Sequence, residues 1–417
     1  MLASLNAVPG PGSARRIAAG VFAALALAFP AAASAGLSSS LTRQMRIAGP
    51  YSGAYVVDAT TGQALFAWKA STSRVLASNT KLFTTSAVLE RFGVDGTLPT
   101  EVVANGEMNP DGVLKGDIWL RGGGDPAFGT RAYVRRHYGP GASSVEDLVV
   151  ELADSGLTAV RGGVHGDESL FDSIRGVHDS RYGVSPWVGP LSALSFNHGY
   201  ASRGFQSNPA TYAATWLRKA LKSEDVTPGH AAAASKAPEG AVVLARVESL
   251  PMAALVKLTN KDSDNYFAET LLKDLGQAEV GTGSTAAGVR AVRAFAARAG
   301  ARVQLIDGSG LDHGDRASPM EVVKLLNAER KTSEFPALYA SLPIAGVDGT
   351  LDDRMRRGPA QRNCRAKTGS LIGVSTLSGY CDSRSGHQLV FSFLMNGISV
   401  SYARRLQDRM AAALASY

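Results

Sequence analysis

The chain has 417 residues, more than one ordinary core accommodates, so two domains or one domain with a large insertion are expected. A hydrophobic content of 45% with 19% charged residues excludes wholesale disorder. The formal charge is +7, but its lysines and arginines are scattered, with no Lys/Arg block interleaved with aromatics, and a nucleic-acid partner is therefore excluded.

The first 35 residues stand apart. A basic pair, Arg15 and Arg16, precedes an apolar stretch (17–29) and a run of small residues ending at Ala35. That layout predicts a secretory signal, residues 1–35, cleaved between Ala35 and Gly36. The apolar stretch falls short of the roughly 20 residues a membrane span needs, and no later run reaches that length. A periplasmic or secreted protein with no stable membrane span is expected. Two arginines and no acids leave with the signal, so +7 becomes +5, a basic excess that suits an anionic cell-wall polymer.

Residues 53–70 alternate and β-branch on either side of a Thr-Thr-Gly turn, which predicts a hairpin. A helix should begin at Ser78 and stop at Gly93. From 94 to 245 glycines and turn signals are frequent, which predicts an inserted, largely β-rich module ending in an alanine-rich connector. Helical periodicity returns over 264–276, 285–300 and 318–330. Strand-like runs come next at 364–370, 376–382 and 387–399, and an amphipathic helix over 402–415 closes the chain. Strands at both ends with helices between predict an α/β domain split by the insertion, its first part 36–93 and its second part 246–417.

Both cysteines of this export-bound chain lie in one predicted hairpin. If it turns at 372–373, Cys364 and Cys381 face each other across neighbouring strands, and a disulfide is expected; two buried thiols are the alternative. Closing a loop of this length stabilises by roughly 3 kcal/mol in the chain-entropy model.

The chemistry-bearing residues fall in three short stretches. Ser78 and Lys81 are three apart, hence on one helical face. A serine hydroxyl is a poor nucleophile until a base takes its proton, and a lysine serves as that base once burial lowers its pKa. The apolar surroundings in "TKLFTTSAVL" supply such burial, and the helix N-terminus favours negative charge developing at Ser78. The other two stretches are Ser263-Asp264-Asn265 and Lys367-Thr368-Gly369. Ser263 can pass a proton between Lys81 and a leaving amine, and Asn265 can hold a substrate amide. Lys367 offers a positive charge to a carboxylate, with the Thr368 hydroxyl beside it. Gly369 leaves room where a substrate lies along the strand. The N–H groups of Ser78 and Ser370 are candidates for an oxyanion hole, where each donor is typically worth about 2.7–4 kcal/mol.

S-x-x-K, S-D-N and K-T-G in this order are the signature of serine β-lactamases and penicillin-binding proteins. Beyond them, "LRGGGDPAFG", "VHGDESLFD", "PLSALSFNHG", "DGSGLDHGDRASP" and "LPIAGVDGTLDDR" resemble segments of the D-alanyl-D-alanine carboxypeptidase/endopeptidases, the low-molecular-mass class C penicillin-binding proteins. The resemblance covers most of residues 50–400. It implies a penicillin-recognising transpeptidase or β-lactamase-like domain, with an antiparallel sheet flanked by helices and the insertion between the first and second motifs. It also implies peptidoglycan stem peptides as substrates, cleaved at D-Ala-D-Ala termini or D-Ala cross-links through an acyl-enzyme on Ser78, with β-lactams as covalent inhibitors. No metal or organic cofactor is implied, and a homodimer is left open.

Three further features are set aside as structural. "GTGSTA" (281–286) has no strand ending before it and no βαβ unit after it, which makes it a helix-entry turn. Asp125 is expected to make a turn, and Asp307 and Asp348 to anchor loops. Two rivals stay open, a serine β-lactamase and a non-catalytic muropeptide-binding relative. Class A lactamases place an E-x-x-x-N segment after S-D-N, whereas Glu101–Asn105 here precedes it.

Overall fold

The structure, a computed structural model, describes residues 31–417. Most of the expected signal therefore lies outside the described residues; its last five, 31–35, open a helix spanning Ala31–Ala48. That helix buries Leu37, Leu41, Met45 and Ala48, all beyond the expected cleavage point.

A five-stranded antiparallel sheet joins the two ends of the chain. Its order is Cys364–Leu371, Val374–Asp382, Gln388–Asn396, Gly53–Asp58 and Ala64–Trp68. Gln388–Asn396 reads as a nearly continuous apolar run because both its faces are covered. Leu389, Phe391, Phe393 and Met395 meet the terminal helices Ala31–Ala48 and Val400–Ser416 through Leu41, Met45, Leu406 and Met410. Val390 and Leu394 face the opposite way, into a core built by the helices Thr80–Phe92, Asn265–Val280, Thr285–Arg298 and Pro319–Glu329. The result is helix, sheet, helix, with the sheet as the middle layer.

A second five-stranded sheet occupies the stretch between the first two motifs, in the order His230–Ala234, Gly163–Asp167, Ile118–Gly122, Pro99–Ala104 and Val242–Glu248. It is mixed, with Gly163–Asp167 parallel to both of its neighbours. The helices Val145–Asp154 and Pro209–Ser223 cover one face and share its core. This stretch is therefore less purely β than expected. Both helices carry start signals: Ser144 caps Asp147 N–H with acids in the first turn, and Asn208 caps Thr211 N–H ahead of Pro209. The glycine-rich texture around them masked these signals. The alanine run expected as a connector begins as the edge strand His230–Ala234, and the expected boundary at 245 falls inside Val242–Glu248. A further helix, Met252–Lys261, had no prediction; ten residues give too few turns for periodicity to stand out.

The C-terminal hairpin turns at Ile372–Gly373, with Gly373 at φ +70°, and pairs Cys364 with Cys381 directly. The two form a disulfide, Cα–Cα 4.1 Å, spanning 17 residues. Asp125 makes the expected turn, accepting from Ala127 N–H at 2.8 Å and from the Ser143 hydroxyl. Asp348 anchors its loop by accepting from Lys261 Nζ and from Ile344 N–H.

The disulfide clamps the strand that carries Lys367. Replacing both cysteines by serine should lower the unfolding free energy by about 3 kcal/mol in urea titrations, while covalent labelling by a fluorescent penicillin persists in the fraction that stays folded.

Candidate active site

The three motifs converge from three elements. Ser78 sits in a short 3-10 turn, Ala77–Asn79, that runs into the helix Thr80–Phe92. Ser263 lies between the helices Met252–Lys261 and Asn265–Val280, and Asn265 opens the second of them. Lys367 to Ser370 lie on the sheet's edge strand. Between them opens a cleft of about 570 Å³ lined by Ser78, Ser263, Asn265, Thr368, Gly369 and Ser370, among others. A slightly larger hollow of about 620 Å³, beside Glu101, Arg121 and Phe171, contains none of the three motifs.

Lys81 has no solvent exposure. Its Nζ lies 3.1 Å from Ser78 Oγ, 2.7 Å from Asn265 Oδ1 and 2.6 Å from the Ser309 carbonyl. The Asn265 amide donates from Nδ2 to the Trp187 carbonyl at 3.0 Å, which fixes its oxygen toward the lysine. Two pure acceptors thus take two N–H bonds. When the amine is neutral, its two N–H groups can go to these two acceptors, which leaves its lone pair for the Ser78 hydroxyl. Burial pushes the Lys81 pKa down to about 8, while Asp307, Glu269, Asp264 and Asp315 pull it up.

Those acids build the wall behind the lysine. Asp307 accepts from Ser309, Gly310 and Asp312 N–H, and Glu269 from Gly308 and Ser309 N–H. Together they aim the Ser309 carbonyl at Lys81. Glu269 is pushed up by burial and by Asp307. Asp307 therefore anchors its loop, as expected, and also bears on the charge of Lys81.

Asn79 pins the serine turn to the sheet. Its Nδ2 donates to the Lys367 carbonyl at 2.9 Å, and its Oδ1 accepts from Ser378 Oγ at 2.6 Å. Thr376 Oγ1 adds a bond to the Leu76 carbonyl at 2.9 Å. Gly369 is required by this packing: a Cβ there would stand 2.8 Å from Ser78 N and 2.2 Å from Thr376 Oγ1. The glycine thus admits the serine turn against the strand, and it also lines the cleft. Ala77, directly before Ser78, has φ +45°, a strained conformation for a residue with a Cβ.

The strand's free edge faces the cleft. Ala366 N–H donates away from the sheet to the Pro343 carbonyl. Alternation then places the N–H groups of Thr368 and Ser370 on that same free side. Ser78 N–H lies in the opening turn of its helix, where N–H groups have no intrahelical acceptor. The two expected oxyanion donors are thus both free of backbone pairing.

Two expectations need adjustment. Lys367 is fully buried beneath the cleft and donates to the Thr368 carbonyl at 3.0 Å, so its ammonium does not line the cleft. Burial, then the neighbouring Lys81, hold its pKa well below the ordinary value, with Asp262 pulling the other way. Ser263, at φ +58°, lines the cleft but makes no side-chain hydrogen bond to Ser78 or Lys81 among the described residues. Sequence reasoning missed Arg404, which reaches the cleft from the C-terminal helix and donates to Ser370 Oγ at 3.2 Å. It also missed Thr350, whose hydroxyl lies 2.7 Å from that of Thr368, and Trp187 on the rim. No local motif marks these residues.

Among the described residues no cluster of three or more metal-ligating side chains occurs, and no helix is long and apolar enough to cross a membrane. The model of the D-Ala-D-Ala carboxypeptidase 3 (S13) family matches residues 33–206 and 200–417. A D-alanyl-D-alanine carboxypeptidase of Actinomadura sp. (strain R39) is 30% identical over 88% of this chain and 82% of its own. A carboxypeptidase of Mycobacterium tuberculosis is 30% identical over 86% of this chain and 79% of its own. Among solved structures, penicillin-binding protein 4 of Haemophilus influenzae superposes with a TM-score of 0.75 at 20% identity, covering 89% of this chain and 97% of that one. The same Haemophilus protein has also been solved with a β-lactam bound. Together with the converging motifs, the family match fixes the assignment: the chain belongs to the D-Ala-D-Ala carboxypeptidase 3 (S13) family.

Proposed function

We propose that this protein is an exported serine D,D-peptidase that removes terminal D-Ala from peptidoglycan stem peptides, or cuts D-Ala cross-links, through an acyl-enzyme on Ser78. The observation that carries the reading is the contact between Ser78 Oγ and a buried Lys81 whose other two polar neighbours are acceptors.

The neutral Lys81 amine takes the Ser78 proton as Oγ attacks the penultimate carbonyl. Charge on that oxygen develops toward the N–H groups of Ser78 and Ser370. The tetrahedral intermediate then collapses, the C–N bond breaks, and the leaving amine takes the proton back, with Ser263 lining its path. Water, deprotonated by the same lysine, attacks the ester and frees Ser78. A β-lactam would acylate the same oxygen and leave slowly. For the substrate's terminal carboxylate, Thr368, Thr350, Ser370 and Arg404 supply hydroxyls and one exposed cation.

Three outcomes are expected. A fluorescent penicillin should label the purified protein covalently, Ser78→Ala should abolish the label, and mass spectrometry of treated muropeptides should show loss of one D-Ala or opening of a cross-link. Rapid release of hydrolysed drug would turn the reading into a lactamase, and absence of any label into a binding module. The acylation rate should rise through pH 8, because the base must be neutral and Lys81 loses its proton near there; each pH unit below that midpoint costs about tenfold. A rate that is flat from pH 6 to 9 would contradict Lys81 as the base. Arg404→Ala should raise KM for D-Ala-terminated peptides about tenfold and change kcat far less, whereas an unchanged KM would remove Arg404 from carboxylate recognition.

A further inference from the structure

The segment 99–248 touches the second motif at two points among the described residues. The Trp187 carbonyl accepts from Asn265 Nδ2, and His198 Nε2 lies 2.9 Å from Asp264 Oδ2. His198 lies in the "PLSALSFNHG" segment, and the acylation and deacylation steps do not use it.

Its setting is unusual on both sides of the contact. His198 and its neighbour Asn197 are consecutive left-handed residues, at φ +55° and +49°, and Ser263 beside Asp264 is left-handed at +58°. Such conformations cost of order 1–3 kcal/mol each and persist only where the surroundings over-determine them. The surroundings do so here. Asn197 Oδ1 accepts from Thr130 N–H at 2.9 Å, Asn197 N–H donates to the Phe128 carbonyl, and Gln206 Nε2 bonds the Phe196 and Tyr200 carbonyls. The imidazole is held between Tyr200, stacked at 5.6 Å, and Tyr266 at 4.5 Å. Its Nδ1 has no partner, so the bond to Asp264 is the ring's one side-chain hydrogen bond among the described residues.

Asp264 in turn sets the start of the helix that bears Asn265. Its Oδ1 caps the helix Asn265–Val280 by accepting from Phe267 N–H at 3.0 Å, and Asn265 opens that helix with Oδ1 on Lys81. Burial pushes the Asp264 carboxyl up, but the His198 hydrogen bond and charge, the Phe267 N–H and Lys81 outweigh it and leave the pKa below the ordinary value. The carboxylate is thus divided, one oxygen to the helix cap and one to the imidazole.

We propose that His198 is a positioning residue: by holding Asp264 it orients Asn265 toward Lys81, which gives the segment between the first two motifs a part in acylation. The proposal rests on the reading of Ser78 as nucleophile and Lys81 as its base. A donor at the position of Nε2 is what the geometry requires. Glutamine can place an amide nitrogen there, asparagine is one methylene too short, and alanine has none.

The test is the second-order rate of acylation by a fluorescent penicillin, with thermal midpoints measured in parallel on the full chain. His198→Ala and His198→Asn should slow acylation by about tenfold or more, and His198→Gln should return it to within about threefold of the parent. Acylation of folded His198→Ala at the parental rate overturns the proposal, as does a folded His198→Gln that stays as slow as His198→Ala. If the alanine variant does not fold, His198→Met, which keeps bulk without a donor, takes its place in the same comparison. A parent protein that fails to acylate at all would instead defeat the peptidase reading, so the two failures are distinguishable.

Discussion

The site depends on burying one lysine amine among acceptors and acids. An ammonium buried without compensation is costly enough that the group usually releases its proton instead. Lys81 is therefore poised by opposing causes, full burial lowering its pKa and four carboxyl groups raising it. The balance near pH 8 leaves a fraction of the amine neutral at neutral pH, as the proposed base requires. Either influence alone would miss: burial alone would overshoot, and an exposed lysine beside acids would stay protonated.

The same balance explains why so many polar groups lie deep here. Lys81, Lys367, Glu269, Asp307 and Asp315 are all nearly or wholly buried within a few elements of one another. Buried polar groups are tolerated where partners satisfy them, and the 307–312 loop places successive N–H groups on Asp307 and on one oxygen of Glu269. The loop is thus less a connection than the rear wall of the site. Asn79, Ser378 and Thr376 do the equivalent work between the serine turn and the sheet.

Much of this was legible beforehand because it is local. S-x-x-K requires one helical turn, and K-T-G a strand on an edge, so spacing alone carried them. The register of the C-terminal hairpin came from its turn, and with it the facing of Cys364 and Cys381. What escaped the sequence is what arrives from afar. Arg404, Thr350 and Trp187 enter the cleft from a helix, a 3-10 turn and a loop that share no pattern with the motifs. The burial of Lys367 escaped for a related reason. Alternation assigns a side chain to a face of the sheet, but not what stands over that face. The packing demand on Gly369 escaped likewise, since the Ser78 backbone that crowds it lies nearly three hundred positions earlier.

The central sheet also has a consequence for how the molecule is made. One of its inner strands, Gly53–Asp58, bonds on one side to a near neighbour in sequence and on the other to Gln388–Asn396, while the first and last helices pack together outside it. The sheet is complete only once these sequence-distant strands have met, and topology of this kind slows folding. The segment 99–248, with its own sheet and apolar interior, is under no such wait.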